Sequence, residues 1–305
     1  MEGKKKELII RTISGVVFCA LTLASLIIVP YNPFPFLILF SFYVVRTNYE
    51  YLRLTMGKGK VLLKIITLLA SLCLFWGIAL MFHLDQRAMS SLILFLVIFI
   101  VLIAIPVADL FDGEKLYMSF SFSSLFYIVL PFSLLILISL QSSKISMFLS
   151  GSECYNPFFA GNYDGWVIAS LLIVMWMGDV GAYCIGTAFG QGEKGHKLMP
   201  SISPKKSWEG VFGALALSII TALILRAFNL LLPYFPYWVS ALFAVIVCIF
   251  SILGDLVESK LKRRFQIKDS GRIMPGHGGL LDRFDSGLLA FPAAFLFYLI
   301  ALWII

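Results

Sequence analysis

Long apolar runs set the terms for this chain. An α-helix rises 1.5 Å per residue, so crossing a hydrocarbon core of ~30 Å takes ~20 mostly apolar residues. Nine runs reach that length: 8–29, 33–54, 61–82, 89–108, 120–140, 166–189, 208–232, 236–257 and 285–305. They predict an all-α, polytopic integral membrane protein with nine transmembrane helices. The composition agrees: 60% of the 305 residues are apolar and 13% are charged, about half of the ~25% usual in soluble domains. With a mean hydropathy of +0.94, a disordered chain, a disulfide scaffold and an ordinary soluble enzyme are excluded. The second run carries Arg46, Glu50 and Arg53 in its last third, which places those charges on an interfacial extension of its helix. The first run follows Lys4, Lys5 and Lys6 as a signal peptide would, but its apolar stretch is long and lacks an A-x-A site. It reads as a retained anchor.

The charge balance is +7. No nucleic-acid motif accompanies it, so the expected cause is the positive-inside bias of membrane proteins. With the N-terminus in the cytoplasm, 21 of the 24 basic residues fall on the cytoplasmic side, the exceptions being Arg87, Lys144 and Arg226. That arrangement puts the C-terminus outside. Cys19, Cys73, Cys154, Cys184 and Cys248 form no CxxC pair, which argues against a zinc site or disulfide framework. The chain divides by character into scaffold spans, 1–165, and a chemical half, 166–305, within one continuous bundle. Residues 141–165, with Gly151, Asn156, Pro157, Gly161 and Asn162, read as an external loop.

The chemistry collects between 254 and 287. Asp255 and Glu258 are spaced i, i+3 and share a helix face, and Asp282 and Asp285 repeat the spacing at the start of the last run. Two such pairs at two span ends suit one divalent cation, and oxygen-only ligands favour Mg²⁺. Nearby Lys and Arg side chains suit phosphates. A positive-inside loop explains the cations alone. It does not explain Asp255 inside the apolar run FSILGDLVES, where an ionisable group costs ~2–3 kcal/mol or more. Nor does it explain Pro275-Gly276-His277-Gly278-Gly279, whose glycines permit close backbone approach to a group such as phosphate.

A second polar cluster, HKLMPSISPKKSWEG, covers 196–210. Ser203 and Pro204 break the chain before Lys205 and Lys206, and Ser207 is the expected N-cap of the following helix. A helix N-terminus beside two lysines makes an anion site; a topogenic loop accounts for the lysines equally well. Asp179 lies within a span, among Gly178, Gly181 and Gly186. An intramembrane carboxylate is a functional candidate, while the glycines equally suit tight helix packing.

The run Ser259-Lys260-Leu261-Lys262-Arg263, then Lys268-Asp269, Gly271, Pro275, His277-Gly278-Gly279 and Asp282-Arg283-Phe284-Asp285 resembles the signature of the phosphatidate cytidylyltransferase (CDP-diacylglycerol synthase) family. The likeness extends to 203–210, 254–259 and 179–186; the first 160 residues match only in being apolar spans. Met274 departs from the pattern, standing where Leu, Ile or Phe is expected. The resemblance implies transfer of a cytidylyl group from CTP to phosphatidate, giving CDP-diacylglycerol and pyrophosphate. It implies Mg²⁺, with K⁺ beside it left open. Asp255, Glu258, Asp282 and Asp285 are then metal ligands or groups that orient them. Lys262, Arg263 and Arg283 join Asp255, Asp282, Asp285 and His277 as catalytic candidates. Ser203, Lys205, Lys206, Lys268, Asp269, Gly278, Gly279 and Asp179 are substrate-binding candidates.

Two other functions are weighed against this one. A CTP-dependent lipid-alcohol kinase keeps the nucleotide but changes the acceptor, and the signature argues against it. An ion-coupled transporter needs polar residues through the membrane depth, whereas the outer halves of these spans are almost uncharged. The expected partners are CTP, phosphatidate and membrane lipid, without nucleic acid; a homodimer is left open. The expected location is a bacterial plasma (inner) membrane, multi-pass, with the site facing the cytoplasm.

Overall fold

The computed structural model describes residues 2–29, 32–82, 116–139, 163–191, 195–233, 235–275 and 278–304. The expected span 89–108, most of the loop 141–165, and His277 lie outside the described residues. The described chain forms helices α1 (Glu2–Ile27), α2 (Phe34–Met56) and α3 (Val61–Phe82). Then comes α4, which begins at Leu116–Ser124, passes through a π-helical turn at Leu125–Val129 and continues to residue 139. Next are α5 (Gly165–Phe189), strands β1 (Lys197–Met199) and β2 (Ser203–Ser207), α6 (Trp208–Ala227), α7 (Tyr237–Arg264), α8 (Leu281–Phe284) and α9 (Gly287–Ile304).

Seven segments among the described residues are long and apolar enough to cross a membrane: Ile9–Ile27, Val61–Leu80, Tyr117–Ser139, Gly165–Phe189, Trp208–Ala227, Tyr237–Arg264 and Leu281–Ala301. The chain is thus an all-α polytopic membrane protein in its architecture, apart, among the described residues, from a two-stranded antiparallel ribbon, β1–β2, that hydropathy does not foresee. The helix expected at 33–54 exists as α2 but is not among the seven, because its second half is too polar.

Two compact units make up the chain. The first holds α1 to α3, the part of α4 up to Leu137, Tyr163, and Phe265–Phe284 with α8; the second holds Asp164–Arg264 and Asp285 onward. In the first, α2 is the central helix, with Phe36, Leu37, Phe40, Val44 and Leu52 fully buried. Aliphatic burial gives little drive between helices in lipid, so polar contacts and close packing do more. Asn48 donates to Ser71 at 2.5 Å, Thr67 to Ser121 at 3.1 Å, and Thr22 bonds Tyr43 at 2.9 Å. These bonds tie α1, α2, α3 and α4 together.

The second unit is built on close approach of α5 and α6. A Cβ on Gly181 would collide with the carbonyl of Gly213, and one on Gly213 would lie 2.5 Å from the carbonyl of Gly181. The glycines around Asp179 therefore serve packing, one of the two roles open from the sequence. Ser207 caps α6 as expected, its hydroxyl accepting from the Gly210 N–H at 3.2 Å. The α7 backbone passes against the start of α9: a Cβ on Gly254 would lie 2.6 Å from the Asp285 carbonyl oxygen. Only glycine lets these two segments come so near, and the contact sets Asp255 beside Asp285.

Candidate active site

In the second unit the polar residues converge on the C-terminal half of α7. Glu258 is completely buried and pairs with Lys262, one helical turn on, at 2.5 Å. Asp255, a third exposed, pairs with Lys206 of β2 at 2.6 Å. Its other oxygen accepts from the Ser259 hydroxyl at 3.1 Å. Asp285 accepts from the Ser286 N–H at 2.6 Å and lies within electrostatic reach of Asp255, Asp179 and Lys262. Three carboxylates and two lysines thus occupy one end of a membrane helix bundle. Like charges gathered there are tolerable only with a compensating cation, supplied in part by Lys206 and Lys262.

The ribbon explains which lysine takes part. Successive side chains on a strand point to opposite faces. Lys206 turns to Asp255, and Lys205 is exposed, with its carbonyl accepting from Gln191 Nε2 at 2.8 Å. The ribbon is anchored where α6 begins: Trp208 N–H donates to the His196 carbonyl at 2.8 Å, and Glu209 accepts from the His196 N–H at 3.0 Å. Ser203 pairs in register with Met199 and Lys197 with Ser207.

In the first unit the signature loop is organised by two carboxylates. Asp282 accepts backbone N–H bonds from Ser270 at 3.0 Å and from Gly279 at 2.8 Å. Gly278 has φ +85°, and a Cβ there would lie 2.5 Å from Asp282 Oδ2; only glycine fits this turn. The second carboxylate is Glu50 of α2, 1% exposed. It pairs with Arg46 at 3.2 Å and accepts from the Ser270 hydroxyl at 3.2 Å and the Leu281 N–H at 2.9 Å. Cβ atoms on Gly271 or Gly279 would clash with its carboxylate. Glu50 is therefore buried beneath the loop. It is the site-forming residue that sequence reading misses. The only signal is a carboxylate in a helix whose first half is apolar enough to bury.

The loop is pinned further by Phe284, whose ring lies 4.9 Å from Phe132, 5.1 Å from Tyr43 and 5.7 Å from Phe18 between centroids. Arg283, Lys268 and Asp269 line a cavity of about 640 Å³ with Gly278. Arg263 is exposed at the end of α7. Asp282 lies in α8 and Asp285 in the turn that follows it, so the two do not share one regular helix face. Among the described residues no three His, Cys, Asp or Glu side chains are grouped closely enough to form a metal cluster. Asp255, now paired with Lys206 and Ser259, and Asp285 are the neighbouring carboxylates that could offer oxygens to a hard cation; Asp282 is held by backbone amides and Glu258 is buried against Lys262.

A polytopic helical membrane protein with carboxylates and cations gathered at helix ends belongs among enzymes and transporters that handle charged groups at the bilayer surface. A family model described as the cytidylyltransferase family matches residues 9–301. The chain belongs to that family. It is 46% identical over 120 residues to a phosphatidate cytidylyltransferase of Staphylococcus epidermidis, a stretch covering 39% of this chain and 44% of that protein. It is 44% identical over 144 residues to one of Mycobacterium tuberculosis, covering 47% and 39%. It is 45% identical over 131 residues to one of Bacillus subtilis, covering 43% and 46%. In these alignments the chain spans about half or less of the length of its relatives.

Proposed function

We propose that the protein is a phosphatidate cytidylyltransferase, working at the cytoplasmic face of a bacterial plasma membrane. The observation that carries this reading is the α7 constellation, Lys206–Asp255 and Glu258–Lys262 beside Asp285, in a chain of the cytidylyltransferase family. A phosphate oxygen of phosphatidate attacks the α-phosphorus of CTP. The new P–O bond forms as the bond to the β-phosphate oxygen breaks, and pyrophosphate leaves. The attacking oxygen is already an anion at neutral pH, so no strong general base is required.

The obstacle is repulsion between two anions. Lys206 and Lys262 offset charge on the nucleotide, and their ion pairs with Asp255 and Glu258 hold them in place for that purpose. Asp255 and Asp285 would hold Mg²⁺, with Glu258 holding Lys262 in place within the same unit. The metal would supply charge stabilisation of the transferring phosphoryl group. K⁺ as an accompanying ion fits the same oxygen donors. Arg263, Arg283, Lys268 and Lys205 remain candidates for phosphate contacts, and His277, Gly278 and Gly279 for the pyrophosphate.

Full-length protein purified in detergent tests this with CTP labelled at either the α- or the γ-phosphate, offered with phosphatidate or diacylglycerol. α-Label entering lipid with release of pyrophosphate supports cytidylyl transfer. γ-Label entering lipid would make the protein a lipid kinase and overturn the reading.

A further inference from the structure

We infer that the basic cavity of the first unit receives the phosphate headgroup of the lipid substrate, and that Arg11 of α1 is one of its ligands. This rests on the reaction proposed above and adds to it a residue from the N-terminal half of the chain. The cavity of about 640 Å³ is lined by Arg11, Lys268, Asp269, Arg272 and Arg283 among others. Four cations and one carboxylate among the lining side chains give the cavity a surplus of positive charge, which suits an anion. Three of the four are arginines, whose planar forks match the oxygens of a phosphomonoester two at a time.

The position of Arg11 selects a lipid phosphate over a soluble one. Ile13, Val16, Val17 and Leu21 of α1 are 58%, 62%, 50% and 55% exposed. Only 11% of the apolar window of this helix is buried, so its length is open to acyl chains. Arg11 stands where that apolar face gives way to the lysines at the start of the chain, the depth at which lipid headgroups lie. The loop is fastened to the helix there: the Ser14 hydroxyl, one turn from Arg11, donates to the Pro275 carbonyl at 3.1 Å. A lipid lying along α1 would bring its phosphate to the cavity with its acyl chains still in the bilayer. The nucleotide phosphates share the same chemistry and are the alternative occupant.

The test uses full-length protein, Arg11→Gln and, separately, Arg272→Gln, which lies on the loop and outside every span. A short-chain phosphatidate is titrated into each, followed by thermal melting, with phosphatidylcholine of the same chains as control. Phosphatidate alone should stabilise the unaltered protein. Either variant should bind it about tenfold or more weakly, as expected for loss of a charge-assisted hydrogen bond. The KM for phosphatidate should rise in step while the KM for CTP stays unchanged, and Arg11→Lys should recover part of the loss. Unaltered phosphatidate binding in Arg11→Gln, or a rise in the CTP KM alone, overturns the inference. If the unaltered protein binds phosphatidate but makes no CDP-diacylglycerol, the proposed reaction falls and the cavity assignment stands. Should Arg11→Gln not fold, Arg272→Gln carries the same comparison.

Discussion

Asp282 and Asp285 sit three residues apart, yet their partners give them different work. Asp282 accepts from the Ser270 N–H on both oxygens and from the Gly279 N–H on Oδ2, while Asp285 answers to Asp255, Asp179 and Lys262. Asp285→Asn should lower kcat by about 100-fold or more, the scale of losing one electrostatic contact to a transition state, with the fold intact. Titrating Mg²⁺ checks this, and a near-normal rate at saturating metal would remove Asp285 from the metal site. Glu50→Ala should act on stability instead. It strands the buried Leu281 N–H, at ~1–3 kcal/mol for a group left unsatisfied, and takes a partner from the half-buried Arg46 and Ser270. A clear fall in melting temperature, larger than for Asp285→Asn, is the expected outcome. Glu50 was not legible in the sequence because its partners lie more than 200 residues on. Asp255 was legible, because an acid inside an apolar run has no other ready explanation.

Helices were the easiest elements to read, since the bilayer enforces one length and one composition on each. The β1–β2 ribbon escaped notice because three to five residues carry too little periodicity, and Ser203-Pro204 looks like a simple break. Its alternation nevertheless decides between two lysines that sequence treats alike. Lys206→Ala removes the partner of Asp255 and should cost one to two decades in kcat/KM for CTP, from ~1.5–3 kcal/mol for a charged hydrogen bond. Lys205→Ala, on the opposite face, should have the smaller effect. Equal losses in steady-state assays would mean that the ribbon does not set this distinction. The α5–α6 contact makes a second demand at this level. With Gly181 and Gly213 backbones touching, Gly213→Leu should prevent the helices from closing and reduce the yield of folded protein.

Topology links the arrangement of the entire chain to the supply of CTP. In the topology expected from the sequence, the seven candidate spans, α2 and the run at 89–108 all cross, which makes nine. Six of these precede residue 190, an even number, so a cytoplasmic N-terminus returns residue 200 to the cytoplasm. α6 and α7 then cross twice and return residue 270 to it as well. If α2 lies at the interface and does not cross, the count before residue 190 is odd and both positions move outside, stranding most of the basic residues there against the positive-inside bias. The buried Glu50 and half-buried Arg46 of α2 are therefore weighed against lipid, while the lysines downstream are weighed against topology, and the second consideration involves many more charges. Single cysteines at 200 and 270, in a protein with its native cysteines replaced, should resist an impermeant thiol reagent added to intact cells and react once the cells are opened. Ready labelling from outside would take both segments away from the cytoplasmic pool of CTP, and the proposed reaction would lose its nucleotide.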